Sequence, residues 1–385
     1  MRNFIVAGKM AGLLAAMLLL GAAHPARAQQ KSLYQRVGGV GRVYNEAQIN
    51  AALQGGAAVN EKDRNGHGTH VAGIAAGNGL GTGNGYAPGT FAGIAPEADL
   101  VIVKAVRGSG AEGSFATDDV IAALAFIRTT AAQLNEPFVI NLSLGGQLSA
   151  HDGTDPEELA IDNLLGNGAG RQVTIAAGNE GDEAGHVGGF VGQGRGATIP
   201  FTTSGEPIGL FGVYASPDLL TVSVIKPNGV TVGPVGLNAQ AAADNDVLLD
   251  NSDEGNGVRG ISVAVKRPLA GQWQLVVNGA RINDGRIDLW SVDDGATRFV
   301  NGVSGDRGFC GSPATSKLGI AVANYITKTQ WTNLNGGTSS STSEGSVGQA
   351  AASSNPGPTR DARLKPEIAA PGTEEGTRIK AEPFQ

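Results

Sequence analysis

The chain has a single cysteine, Cys310, in 385 residues. One cysteine forms no internal disulfide, so the fold rests on packing alone. Its neighbourhood, Phe309-Cys310-Gly311-Ser312-Pro313, holds no histidine, and a small buried residue rather than a nucleophile is expected there. Aromatic residues are only 5% of the chain, so the interior is expected to pack closely on small side chains. There is no basic run, and the net charge is −7. Nothing is available to neutralise phosphates, which argues against nucleic acid as a partner. Beyond the first residues, no segment is long and apolar enough to span a membrane.

Glycine is abundant instead, with 60 residues and no strict period. That excludes collagen and implies tight turns and close backbone approaches. At the start, Arg2 and Lys9 supply positive charge, Met10 to Ala23 is apolar, and Ala26-Arg27-Ala28 fits a small-x-small cleavage site. Residues 1–28 therefore read as a secretory signal peptide outside the fold, with Gln29 as the new N-terminus and no membrane contact after cleavage. A secreted or periplasmic location is the expectation.

Strand and helix patterns alternate from Asp99 to Asn179. Leu100 to Val106, Phe138 to Leu144 and Val173 to Ala177 are apolar runs of strand length. Between them, Thr117 to Leu134 places Val120, Leu124, Ile127, Ala131 and Leu134 on one helical face. Asp118 and Asp119 suit the first turn of that helix. Asp155 to Leu165 predicts a second helix, with Pro156 in its first turn. Nearly continuous apolar strands joined by helices imply an α/β fold, a parallel sheet sandwiched by helices. After about Gly196 the runs Thr221–Ile225, Ile261–Val265, Trp273–Val277 and Arg286–Trp290 alternate between Gly, Asn and Asp clusters, which predicts an antiparallel β-sandwich module. A strand signal returns at Leu318 to Ala323, and Thr338 to Ser343 reads as a low-complexity loop.

The most specific string is Asn65-Gly66-His67-Gly68-Thr69-His70-Val71-Ala72-Gly73. Histidine transfers protons near neutral pH, and the glycines permit close approach of backbone. Three more segments follow in order: Asn141-Leu142-Ser143-Leu144-Gly145-Gly146, Ile175-Ala176-Ala177-Gly178-Asn179-Glu180-Gly181, and Gly357 to Gly372. Together they resemble the subtilisin-like serine proteases (subtilases, peptidase S8). Gly271-Gln272-Trp273 through Trp290, and Gly41 to Leu53, resemble the Csp-type bacterial subgroup with its inserted jelly-roll. The resemblance implies residues 29–195 as the N-terminal part of the subtilase core. It implies 196–305 as the inserted sandwich and 306–385 as the return to the core.

It also implies roles. His67 is the expected general base and Asn179 the oxyanion donor. Ser143, Leu144, Gly145, Gly146, Ala177 and Gly178 are the expected substrate-binding residues. The implied partner is a peptide or protein substrate.

Two members of the family's pattern are missing. The serine motif Gly-Thr-Ser-x-Ala-x-Pro should follow Pro371-Gly372, yet no serine lies after Ser354. Gly337-Thr338-Ser339 lies upstream and lacks the Ala and Pro, so a flexible loop is expected. No aspartate before His67 follows an apolar strand into a turn; Asp63 reads as a polar turn residue leading into the histidine helix. The chain as written is expected to be an inactive, truncated or frameshifted endopeptidase. The rival reading is a secreted non-catalytic binder of peptides or surfaces, and a separate chain carrying the serine segment is a third possibility.

No cofactor is expected. His67 and His70 lack the His-Glu-x-x-His arrangement of a metal site, and His70 reads as a packed structural residue. Asp250-Asn251-Ser252-Asp253-Glu254-Gly255 gives a weak hint of structural calcium, but Ile261 stands where an EF-hand loop ends in glutamate. A solvated hairpin loop is the expectation. Gly192 to Ala197 matches a dinucleotide fingerprint superficially, with Ile199-Pro200 where a helix should start.

Overall fold

Amphipathic helices must bury their apolar stripes, and strands of matching length give them a surface to bury against. A computed structural model of the chain describes residues 15–19, 30–37, 40–56, 59, 61, 63, 65–81, 87–106, 115–166, 168–243, 246–293, 295–302, 308–332 and 337–373. The rest of the leader, the Gly305 boundary and the tail 374–385 lie outside the described residues.

The first part contains β1 (Ala15–Leu19), β2 (Gln30–Val37), β3 (Val40–Asn45), α1 (Glu46–Leu53) and α2 (His67–Ala76). It continues with β4 (Asp99–Lys104), α3 (Thr117–Leu134), β5 (Phe138–Leu142), α4 (Pro156–Gly166) and β6 (Arg171–Ala176). A run of antiparallel strands follows: β7 (His186–Phe190), β8 (Gly196–Thr203), β9 (Ile208–Ala215), β10 (Leu219–Ile225), β11 (Thr231–Val235) and β12 (Ala239–Ala243). The run closes with β13 (Val247–Gly255), β14 (Val258–Val265), β15 (Gln272–Arg281), β16 (Arg286–Ser291) and β17 (Thr297–Phe299). The chain ends in β18 (Ile320–Ile326), β19 (Gln330–Thr332), β20 (Thr338–Ser340) and β21 (Ile368–Thr373).

One sheet has the order β21-β18-β6-β5-β1-β4-β2-β3. Its pairs β5–β6, β6–β18, β18–β21 and β2–β4 are parallel. The fold is α/β. α3 packs on α4, and both bury apolar residues in one cluster with Val101, Val103, Ile140, Val173 and Ile175 of the sheet. The buried stripe of α3 is Val120, Ala123, Leu124, Ile127 and Ala131. Leu134, expected on this stripe, is 38% exposed because the helix stops there, at Asn135 in the left-handed region.

The central position of the sheet holds a departure from the sequence reading. β1 belongs to the stretch assigned to the leader, yet it pairs antiparallel with both β4 and β5, with Met17 opposite Val101 and Ile140. An apolar run too short to span a bilayer has strand length, and two strands buried in mid-sheet offer it open hydrogen-bonding edges.

The antiparallel strands form two sheets, β11-β10-β15-β8-β17 and β12-β13-β14-β9-β16-β7. They share one apolar core, in which Leu220, Val222, Val224 and Leu275 of the first sheet meet Ile208, Leu210, Leu249 and Ile261 of the second. Phe201, Tyr214, Trp273 and Trp290 are fully buried in this part, so much of the scarce aromatic content is spent here. The first of these strands, β7, lies upstream of the Gly196 boundary.

Two loops expected from sequence are strands. Asp250 to Gly255 completes β13, and the turn comes only after Gly255. Asn251 is fully buried there, accepting from Tyr214 Oη at 2.8 Å and donating to the Leu220 carbonyl at 3.0 Å, so its amide is satisfied without solvent. Thr338–Ser340 pairs with Gln330–Thr332, since β-branched threonine and serine hydroxyls fit an exposed two-stranded ribbon.

Two helix starts are built on carboxylates. α2 begins at Gly66, whose φ of +92° requires glycine and whose missing side chain cannot cap. Asp63 caps instead: Oδ2 accepts from Thr69 N and Thr69 Oγ1, each at 2.8 Å, and Oδ1 from Gly66 N at 2.8 Å and Asn65 N at 3.1 Å. Burial raises the Asp63 pKa, and these four hydrogen bonds outweigh it, leaving the pKa below the ordinary value. At α4, the Asp155 N–H donates to Glu158 at 3.1 Å and the Thr315 hydroxyl donates to the same carboxyl. Burial first, then the neighbouring acids, raise Asp155 to about 7 and Glu158 to about 8.

Asp63→Ala is expected to cost about 1–2 kcal/mol, the range for loss of a helix cap, read as a lower urea midpoint. For α4 the sign runs the other way from an ordinary ion-paired acid. The folded state keeps protons that the unfolded chain has already lost, so stability falls as pH rises from the unfolded carboxylate pKa of ~4 through the folded values. The melting temperature is expected to drop across that window, and Glu158→Gln, which keeps an oxygen to accept from Thr315, is expected to flatten the drop.

Candidate active site

β5 and β6 are adjacent and parallel, so the loops at their C-terminal ends leave the sheet side by side. The first loop is Ser143–Gly146 and the second Ala177–Asn179, which brings these expected site residues together. A third segment wedges between them. Gly146 N donates to Ser312 O at 3.0 Å, Ser312 N to Gly146 O at 3.1 Å, and Gly311 N to Ala177 O at 3.2 Å. The approach is close enough to demand glycine: a Cβ at Gly145 would meet Ser312 O at 2.9 Å, and one at Gly311 would meet Gly146 O at 2.7 Å. Within the first loop, Leu144 is buried in the core and the Ser143 hydroxyl accepts from Asn141 Nδ2 at 2.9 Å.

Asn179 is exposed, and its backbone N–H donates to Glu180 Oε2 at 3.0 Å. That oxygen also accepts from Gln147 Nε2 at 3.0 Å and Asn355 Nδ2 at 2.6 Å. Asn355 is 1% exposed. It accepts from Glu180 N at 2.6 Å, and its own N–H donates to Gly178 O at 3.2 Å. A Cβ on Gly178, at φ +117°, would collide with the Asn355 amide. Glu180, Asn355 and Gln147 thus fix the loop that carries Asn179. Sequence reading did not find Asn355 in this role, because Asn355-Pro356-Gly357-Pro358 signals only a turn and its partners are far away in sequence.

His67 opens α2, which lies against β1. Glu61, just upstream, pairs with Lys104 at the end of β4 at 3.9 Å. β4 and β5 are both antiparallel to β1 and hence parallel to each other, so the approach to His67 lies at the edge where the two loops emerge. Topology alone relates His67 to Asn179; no hydrogen bond joins them among the described residues. Burial lowers the His67 pKa, the His70 charge lowers it further, and Asp63 partly offsets both. A neutral imidazole at pH 7 is the form that can accept a proton. Its Nδ1 is buried and has no hydrogen-bond partner among the described residues. Ser339 lies in β20, on a two-stranded ribbon apart from the main sheet. Cys310 is fully buried, and burial pushes its thiol up to about 12, which leaves it inert.

The family model described as the subtilase family (peptidase S8) matches residues 40–383. The chain is similar to a subtilisin of Bacillus sp. (strain TA39), 41% identical over 128 residues, which is 33% of this chain and 26% of that protein. It is also similar to the major intracellular serine protease of Bacillus subtilis (strain 168), 38% identical over 122 residues, 31% of each. The chain thus spans about a third or less of these curated relatives. Among solved structures it is similar to the Clostridium perfringens CspB protease, at a TM-score of 0.65 and 25% identity, covering 89% of this chain and 69% of that one. With histidine motif, paired glycine loops and family match in agreement, the chain belongs to the subtilase family.

Proposed function

We propose that the chain carries the peptide-binding and proton-transfer parts of a subtilisin-like serine endopeptidase. The observation that supports this best is the pair of loops after β5 and β6, joined by the Gly311-Ser312 wedge. An extended substrate would lie along Ser143–Gly146, where glycines allow backbone to approach backbone. His67 is assigned as the base that takes a proton from a nucleophile, and Asn179 as the donor to the oxyanion. Such a donor acts on charge that develops only in the transition state.

Among the described residues no serine stands at a matching position and no carboxylate bonds to His67 Nδ1. A second reading is that these parts hold peptide without cutting it, with hydrolysis dependent on a serine supplied by another segment. The charged start, apolar run and Ala26-Arg27-Ala28 support export, and the substrate would then be an extracellular or periplasmic polypeptide.

Fluorescein-labelled casein and a fluorophosphonate probe test both parts. The full chain is expected to bind the casein, to leave it uncut and to take up no probe. Gly145→Val is expected to weaken binding at least about tenfold, ~1.4 kcal/mol, because its side chain would displace Ser312. Asn179→Ala is expected to leave binding unchanged, since it removes a contact of the transition state alone. Probe on any serine of this chain would overturn the missing-nucleophile reading, and casein that does not bind would overturn the binding role.

A further inference from the structure

His151 lies outside every motif of the sequence, yet it is fully buried beside the two loops. Its φ is +56°, a left-handed conformation uncommon for any residue but glycine. Residues are held there only when their surroundings over-determine them. Its Nδ1 lies 2.9 Å from the Cys310 carbonyl oxygen and its Nε2 3.1 Å from the Gln147 carbonyl oxygen. Gln147 directly follows Gly146, and Cys310 directly precedes Gly311. Burial lowers the His151 pKa to about 4, and the neutral ring has one N–H, so it donates to one of these carbonyls and packs against the other. One ring therefore touches both segments of the wedge, immediately beside the residues that pair.

The ring is itself clamped by the β-sandwich. It stacks on Trp290 of β16 with centroids 4.0 Å apart and planes 9° apart, and His186 of β7 stacks on the same indole at 4.9 Å. Trp290 Nε1 donates to Gly308 O at 2.9 Å, two residues before Cys310. On the backbone side, Arg360 N donates to His151 O at 2.9 Å, and the Arg360 guanidinium pairs with Asp288 of β16 at 2.9 Å. The sandwich thus meets the cleft through His151.

We propose that His151 is a positioning residue for substrate, which sets the spacing of Gly146 and Gly311-Ser312, and that Trp290 is the means by which the β-sandwich holds it in place. This assigns the sandwich a part in shaping the cleft. The purpose of the spacing rests on the peptide-cleft reading above, while the spacing itself does not.

Amide hydrogen exchange on the full chain reads the spacing directly. His151→Asn keeps a residue that tolerates the left-handed backbone, but its short amide cannot reach both carbonyls. Exchange at Gly146, Gly311 and Ser312 is expected to rise about tenfold or more, with the amides of β6 and β14 unchanged. Trp290→Phe keeps an apolar ring in the sandwich and is expected to produce the same local pattern more weakly. Unchanged exchange at those three amides in His151→Asn, or a uniform rise across all strands, would overturn the positioning role. An unchanged pattern in Trp290→Phe would sever its link to the sandwich. Casein binding measured on the same variants separates the two readings. If wild-type chain fails to bind casein, the peptide-cleft reading falls and the exchange result still decides the role of His151.

Discussion

The arrangement of the two loops after β5 and β6 depends on one backbone wedge. Gly311-Ser312 bonds to Gly146 on one side and to Ala177 on the other, filling the gap between two loops that the parallel sheet only delivers side by side. A parallel pair fixes where its strands end, not where the chain goes afterwards. The wedge supplies that second constraint with main-chain hydrogen bonds, which tolerate little displacement. Its cost is steric: two glycines, Gly145 and Gly311, because a side chain at either would strike a carbonyl oxygen on the other segment. The glycine abundance read from composition finds one of its uses here.

The wedge also explains why the two antiparallel sheets between β6 and β18 need not disturb these loops. The chain leaves the main sheet after Asn179, builds two sheets, and comes back through Gly308 to Ser312 directly between the loops. Glu180 and Asn355 then lock the departing and the later segments together, so the Asn179 loop is bounded on each side by chain that has already been fixed. A buried Asn that satisfies both its donor and its acceptor specifies one geometry, because any other leaves polar atoms unbonded.

Much of this was legible in sequence where the signal is local. α3 runs from Thr117 to Leu134 as its 3.6-residue pattern indicates, and β5 and β6 coincide with apolar runs. The motif glycines pointed to close approach before any partner was known. The misses share a physical cause. Asp250 to Gly255 is rich in turn residues, but pairing with β14 and the Tyr214–Asn251 hydrogen bond override that preference. Asn355 and His151 carry no pattern at all, since their roles exist only through partners distant in sequence.

The state of His67 follows from where Asp63 has been committed. Asp63 is the acid nearest before the histidine in sequence, and it could serve as an orienting carboxylate only by leaving Thr69, Gly66 and Asn65. Hydrogen bonds to a charged group are worth about 1.5–3 kcal/mol each, and Gly66, in the left-handed region with no side chain, offers no replacement cap. Orienting one imidazole would thus undo the start of the helix that carries it. α2 in turn lies against β1, the strand between β4 and β5. That strand keeps the sheet continuous where the helix carrying His67 packs on it, so the position of the histidine depends on the sheet and the start of its helix on Asp63.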